Sequence, residues 1–352
     1  MINTNVKKRR KKRHKKIFII PIIILIILAL IGGGIFIFLS SKFSKVKSVP
    51  ISRNPSDLSI NSQKFNDTSI DKNYINILLL GVDSRDPEVD PGLTDSIMIL
   101  SIDKAHKKFK ITSLMRDMII DNIQGEGATA GTDRDRINVI YKQGGGLQGG
   151  GQYAIKAINS NFDMNIKDYV KLDFGHFDKI VDAVGGVDID VSDAEVSVAN
   201  GYIKEVAGLE GINPPYLTHG GLQHLSGMQA LGYCRIRYVG NEDFERTQRQ
   251  RTVLTEVFKK ISTMSITQAS SLLDTILPDL ETSLSETDIL SDTSYVLLNK
   301  ISTVDQFRLP EDKPGYNYTT TIHGTYFLGW NKEANDADLH NFIFEDDASK
   351  IK

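Results

Sequence analysis

Apolar residues run without a charge from Ile17 to Leu39, 23 positions. At about 1.5 Å of rise per residue, such a run reaches the ~30 Å of a bilayer core. It predicts a transmembrane helix, and Pro21 and Gly32–Gly34 are compatible with one. Residues 40–73 are rich in Ser, Asn, Asp and Lys, with Pro50 and Pro55, and read as a linker or a small appendage above the membrane. From Tyr74 the pattern becomes that of a folded domain, taken to extend over residues 74–345. Tyr74–Val82 is nearly continuous in apolar residues, as a buried strand should be. Ser96–Ile102 and Phe109–Leu114 follow as strands, joined by the polar turn Asp103–Lys108 into a predicted hairpin. If the three strands form an antiparallel meander, Asp83, Asp95 and Arg116 fall on one edge of the sheet.

Further on, the glycine-rich stretch Gly144–Gly151 precedes a predicted helix over Gln152–Asn161. Such a loop can cradle phosphate, but it lacks the Lys-Ser/Thr ending of a P-loop and reads as a plain mobile loop. Tyr169–Phe174 is a predicted strand, Phe177–Val184 a short helix ended by Gly185–Gly186, and Val187–Val191 another strand. Residues 192–224 show no assignable pattern. Two helices are expected near Ile266–Leu280 and Glu286–Lys300.

The stretch from Gly227 to Arg251 carries the most chemistry. Arg235 and Arg237 alternate along a predicted strand and would point to one face. Arg246, Arg249 and Arg251 open a predicted helix on which Val253, Leu254, Val257, Phe258 and Ile261 share an apolar face. Carried backward, that face reaches Gln250 and Arg246, so the start of the helix should abut a polar pocket. A helix N-terminus favours anions, and arginine suits bidentate contact with phosphate oxygens.

Charge divides the chain in two. Residues 1–16 hold nine Lys and Arg and no acid, which leaves 33 basic against 44 acidic residues thereafter, a net charge of −11. A basic cluster before an apolar span places the N-terminus in the cytoplasm and the following domain outside, a single-pass type II arrangement in the cell membrane. The 16-residue basic tail has no interleaved aromatics, so no nucleic-acid partner is expected. The single cysteine, Cys234, excludes an intramolecular disulfide.

The chain resembles the LytR-CpsA-Psr (LCP) family. The resemblance rests on LLLGVDSR (Leu78–Arg85), TDSIMILSID (Thr94–Asp103), ITSLMRD (Ile111–Asp117) and RINVIY (Arg136–Tyr141), then on Asp168–Val191, Leu225–Tyr238 and Asp243–Leu254, in order over residues 74–262. It implies an α/β fold with a mixed central sheet flanked by helices. It implies transfer of a glycopolymer (teichoic acid, capsular or other wall polysaccharide) from an undecaprenyl-pyrophosphate carrier onto peptidoglycan through a phosphodiester. It further implies that Asp83 and Asp95 hold Mg²⁺, and that Arg85, Arg116, Arg235, Arg237, Arg246 and Gln250 contact the pyrophosphate. One departure stands out: many members carry arginine where this chain has Leu93, so that either one pyrophosphate contact is missing or Arg85 or Arg134 supplies it.

Phosphoryl transfer needs charge neutralised on the transferring and leaving groups. Arg116, Arg235 and Arg237 are the expected catalytic arginines. Asp243, at the entrance of the arginine helix, is the candidate base for the attacking hydroxyl, or a helix cap, or an arginine's partner. A lipid-pyrophosphate pyrophosphatase and a non-enzymatic envelope sensor are the alternative functions.

Overall fold

In the computed structural model, the described residues are 46–84, 90–121, 134–173 and 176–351. The basic tail, the apolar run Ile17–Leu39 and Arg85 lie outside them. Among the described residues no helix is long and apolar enough to cross a membrane.

Seven strands make the central sheet: β1 (Lys47–Ser48), β2 (Tyr74–Asp83), β3 (Leu93–Asp103), β4 (Lys108–Leu114), β5 (Asp168–Asp173), β6 (Leu280–Thr282) and β7 (Val304–Leu309). Their spatial order is β1-β6-β5-β2-β3-β4-β7. β2, β3 and β4 form the expected antiparallel meander, while β5 joins β2 and β7 joins β4 in parallel. The sheet is therefore mixed, and β2 and β3 are covered on both faces.

One face packs on α1 (Gly150–Phe162), with Leu78, Leu80, Ile97 and Ile99 buried against Ala154, Ile158 and Phe162. The other face buries Met98, Leu100, Phe109 and Ile111. A third apolar cluster lies apart from the sheet. It is built by α2 (Asp193–Glu210), α3 (Gly227–Cys234) and the hairpin Val187–Val191/Gly221–Leu225. The stretch 192–224, which showed no clear pattern, thus holds the 18-residue α2. Its capping box pairs Ser192 with Glu195, which satisfies backbone donors at the helix start.

The arginine helix α4 (Glu242–Ser262) bridges two cores. Leu254 and Phe258 join the cluster on the sheet, and Phe258 stacks on Phe109 at 5.0 Å. Val253 and Val257 enter the cluster of α2 and α3. The predicted single apolar face is in fact divided between two partners.

Two expectations need correction. Residues 46–73 are not a free linker: β1 adds to the sheet, and Leu58 and Ile70 are buried in its core. Apolar residues this sparse escaped a compositional reading. Arg235 and Arg237 are not on a strand. The capping box of Ser226 and Gln229 starts α3, its apolar residues bury, and Arg235 is the C-cap with Arg237 in the following turn. The short alternation CRIRY resembles a strand only when the helical residues before it are ignored.

Candidate functional site

The meander brings its polar ends together as expected. Gly81 pairs with Ser96 but Val82 pairs with Thr94, so Asp95 is the extra residue of a β-bulge. A bulge frees one residue from the ladder and re-aims its side chain. Asp95 Oδ1 accepts a hydrogen bond from Arg116 Nη1 at 2.7 Å, just past the end of β4. Asp83, at the end of β2, lines the same cavity, and no ion pair engages its carboxylate among the described residues.

The cavity measures about 740 Å³. Asp83 and Asp95 form one wall; Arg235, Arg237, Arg246 and Gln250 form another. Arg237 Nη2 lies 3.5 Å from Asp95 Oδ2. Arg246 is buried, with Nη1 3.2 Å from Asp243, and among the described residues its Nε and Nη2 have no hydrogen-bond partner, nor does Gln250 Oε1. Burial and the neighbouring Arg237 and Arg116 push the Arg246 guanidinium down to about 10, against the pull of Asp243. Burial also works against the charge of Arg116, but Asp95, Asp117 and Asp243 outweigh it and raise its pKa.

Asp243 belongs to the arginines. Arg116, Arg237 and Arg246 each lie within 4 Å of its oxygens, at 3.7, 3.8 and 3.2 Å. It is absent from the residues lining the cavity. Of its three sequence readings, the arginine's partner is the one these ion pairs show. Arg134 pairs with Asp121 at 2.8 Å on an exposed hairpin and does not line the cavity, so it does not stand in for the missing arginine at Leu93. The loop Gly144–Gly151 does not line it either.

Other residues gain roles that the sequence did not announce. Arg249 is a peg. Its Nε meets Glu195 at 2.6 Å, while Nη1 and Nη2 donate to the carbonyls of Ile236 and Val239 at 3.2 and 3.0 Å. It thereby fixes the turn that carries Arg237 to the start of α2. Glu195 had a readable signal, the Ser-x-x-Glu spacing of a capping box. Tyr202 and Glu205 on α2 flank Arg235, whose guanidinium lies 5.4 Å from the Tyr202 ring centroid and 3.5 Å from Glu205. No sequence signal marked them without knowledge of α2. Asp117 lies 3.5 Å from both Arg116 and Arg136. Burial raises its pKa, Arg116 opposes that, and Asp243 adds to it.

His176 lines the cavity and stands 3.4 Å from Asp279. Lys171 is buried, 3.1 Å from Asp173 and 3.9 Å from Glu281, and so has a structural place beneath the site. Glu281 in turn accepts from the Tyr141 and Tyr169 hydroxyls at 2.8 and 2.7 Å. At the opposite end of the sheet Asp103, His106 and Glu345 also converge. Lys110 lies 2.7 Å from Asp103 and 3.0 Å from Glu345, which makes that cluster an ion-pair tie for the C-terminal turn.

A carboxylate pair facing convergent guanidiniums can hold a polyphosphate together with a hard cation. Asp83 and Asp95 offer the oxygen donors that Mg²⁺ prefers, in the small number that leaves room for phosphate and water. The Asp83 carboxylate, in no ion pair among the described residues, fits that role.

A family model described as the LytR_cpsA_psr family matches residues 35–341. The chain is 31% identical over 259 residues to the polyisoprenyl-teichoic acid–peptidoglycan teichoic acid transferase TagU of Oceanobacillus iheyensis, covering 72% of each chain. It is 28% identical over 274 residues to biofilm regulatory protein A of Streptococcus mutans, covering 76% of this chain and 63% of that one. Among solved structures, that of TagT bound to LI-WTA superposes with a TM-score of 0.61 at 21% identity, over 84% of this chain and 99% of the other. That likeness shows the shared mixed α/β fold.

Proposed function

The chain belongs to the LytR-CpsA-Psr family, and we propose that it is a phosphotransferase moving a glycopolymer from a polyprenyl-pyrophosphate carrier onto peptidoglycan. The carrying observation is the convergence of Arg116, Arg237 and Arg246 on Asp95 and Asp243, with Asp95, Arg237 and Arg246 lining one cavity and Arg116 and Asp243 behind them. Three guanidiniums held by two carboxylates are oriented before any substrate arrives. Such preorganised charge is the largest single source of stabilisation for phosphoryl transfer. The TagU relative is named as a transferase of this kind, which supports the same activity here.

In this reading a sugar hydroxyl of the acceptor attacks the phosphorus that bears the polymer, the bond to the lipid phosphate breaks, and the hydroxyl proton ends on the departing lipid phosphate. Arg246 and Arg237 hold the non-bridging oxygens. Arg116 and Arg235 receive the leaving phosphate. Arg85 is the further pyrophosphate contact that the family resemblance implies. Asp83 and Asp95 would hold Mg²⁺, which when bound neutralises phosphate charge. Ile17–Leu39 would anchor the protein as a single span, with its N-terminus cytoplasmic and the domain at the outer face, where the lipid-linked substrate lies.

The test incubates residues 46–352 with lipid-pyrophosphate-linked oligosaccharide, peptidoglycan oligomers and Mg²⁺, and follows products by mass spectrometry. The wild type should form a phosphodiester-linked adduct. Arg116→Ala should lower its rate by roughly 10²–10³-fold, the cost of removing one preorganised donor, with the fold retained. Released sugar phosphate without adduct would favour hydrolysis. Equal rates in the two proteins would refute the assigned site.

A further inference from the structure

On the side of α4 turned to the sheet edge lies a second basic cluster that the transferase cavity does not use. Arg251 is only 3% exposed. Its Nη2 donates to Gln248 Oε1 at 2.5 Å, and among the described residues its buried Nε and Nη1 have no hydrogen-bond partner. Arg308, on edge strand β7, stacks its guanidinium 4.2 Å from the Phe244 ring centroid, and its buried Nε is also without a partner. Ser113 pairs with Arg308 across the β4–β7 ladder, and its buried Oγ is unpartnered as well. Gln248 and Gln306 close the arrangement through a 2.9 Å hydrogen bond between helix and strand. Phe244, Gln248 and Arg251 follow one another at helical spacing on a single face of α4.

Among the described residues neither Arg251 nor Arg308 has a carboxylate within 4.0 Å. The buried Arg251 and half-buried Arg308 guanidiniums repel each other, and burial with that repulsion lowers the pKa of Arg251 to about 10, against the pull of Glu245. Buried polar groups are nearly always satisfied, and a cluster that is not points to water or an ion. Every unpartnered atom here can donate: two nitrogens of Arg251, one of Arg308 and a hydroxyl. The carboxylates that act on the pair, Glu245 on both and Asp312 and Glu311 on Arg308, all stand beyond 4.0 Å. Donors alone at such a place suit an anion better than water, which would bring its own protons against them. Because these atoms are wholly enclosed, a compact ion fits better than a substituted phosphate.

We propose that Arg251, Arg308 and Ser113 form a buried halide site, with chloride as the abundant occupant, that pins α4 to the edge of the sheet. Arg246 and Gln250 lie on the same helix within two turns, so the ion holds their backbone without touching substrate. It is a structural ligand.

The experiment uses the full chain in detergent micelles with saturating inorganic pyrophosphate, which occupies the arginines of the transferase cavity. Crystals grown in sodium bromide are measured at the bromine edge, and ³⁵Cl linewidths are titrated in solution at constant ionic strength with gluconate. The expected result is an anomalous peak within hydrogen-bonding reach of Arg251 and Arg308. Chloride broadening should survive pyrophosphate and weaken at least fivefold in Arg308→Met, which alters a half-buried residue and should fold even if Arg251→Met does not. Water, sulfate or the Glu245 carboxylate at that place would overturn the proposal. So would broadening that pyrophosphate abolishes, or broadening unchanged in Arg308→Met.

Discussion

The two walls of the cavity are made in different ways. The carboxylate wall comes from β2, β3 and the end of β4, strands that follow one another and pair as neighbours. Its side chains are placed by register, and Asp95 and Arg116 meet although 21 positions separate them. The arginine wall comes from a helix cap, a turn and the start of a helix, braced by a residue 54 positions away, Glu195. Local pairing suffices for the first wall. The second depends on α2 and α4 docking, and Arg249 is the buried link between them.

The largest expected effect comes from cutting that link. Arg249→Leu leaves Glu195 Oε1 and the carbonyls of Ile236 and Val239 without their arginine donor, while Ser192 still donates to Glu195 Oε2. Removing one partner of a buried, hydrogen-bonded ion pair costs about 3–5 kcal/mol. Both residues are buried, so solvent screening does little to reduce the loss. Urea unfolding of residues 46–352 should show the loss, and transfer should fall with it because Arg237 loses its seat. If stability were unchanged, the brace between the walls would not exist.

A smaller effect is expected from pH. Burial works against the charge of Glu195, but Arg249 and Ser192 outweigh it and lower its pKa. A depressed carboxylate contributes stability above its unfolded value, ~4.3, and loses it as pH falls through the folded value. The stability difference between wild type and Glu195→Gln should therefore be full near neutrality and shrink as pH drops below about 4.3. A difference that is constant from pH 7 to pH 3 would show that the charge of Glu195 does not brace the arginine wall.

This contrast also explains what could be read from the chain. The meander was legible because Tyr74–Val82, Ser96–Ile102 and Phe109–Leu114 carry their apolar pattern locally, and the polar turn between the last two dictates a hairpin. Asp83, Asp95 and Arg116 followed from topology alone, although the bulge at Asp95 did not. The arginine helix was legible from its spacing. That its apolar residues divide between two cores was not, since periodicity shows a face but not how many partners it meets. Arg235 and Arg237 were found as site residues yet given the wrong backbone. Their positions depend on the capping of α3 by Ser226 and on the grip of Arg249, and a two-residue alternation carries no trace of either. That Asp243 gathers Arg116 and Arg237 as well as its helix neighbour Arg246 is a fact of tertiary structure.

The smallest effect tests whether the carboxylate wall is complete. Leu93 pairs with Asp83 across the bulge and is 42% exposed at the cavity's side of the sheet. An apolar residue in that place gives nothing to a pyrophosphate. Leu93→Arg would add a guanidinium next to the Asp83 carboxylate, where an exposed pair is worth about 0.2–1 kcal/mol. The expected result is a KM for the lipid-pyrophosphate substrate lowered about two- to fivefold, with kcat little changed and the gain shrinking as salt rises. An unchanged KM would mean that the arginine wall already satisfies the pyrophosphate without help from the strands. A raised KM would mean that Asp83 must stay unpaired to do its work, which is what a metal-holding carboxylate requires.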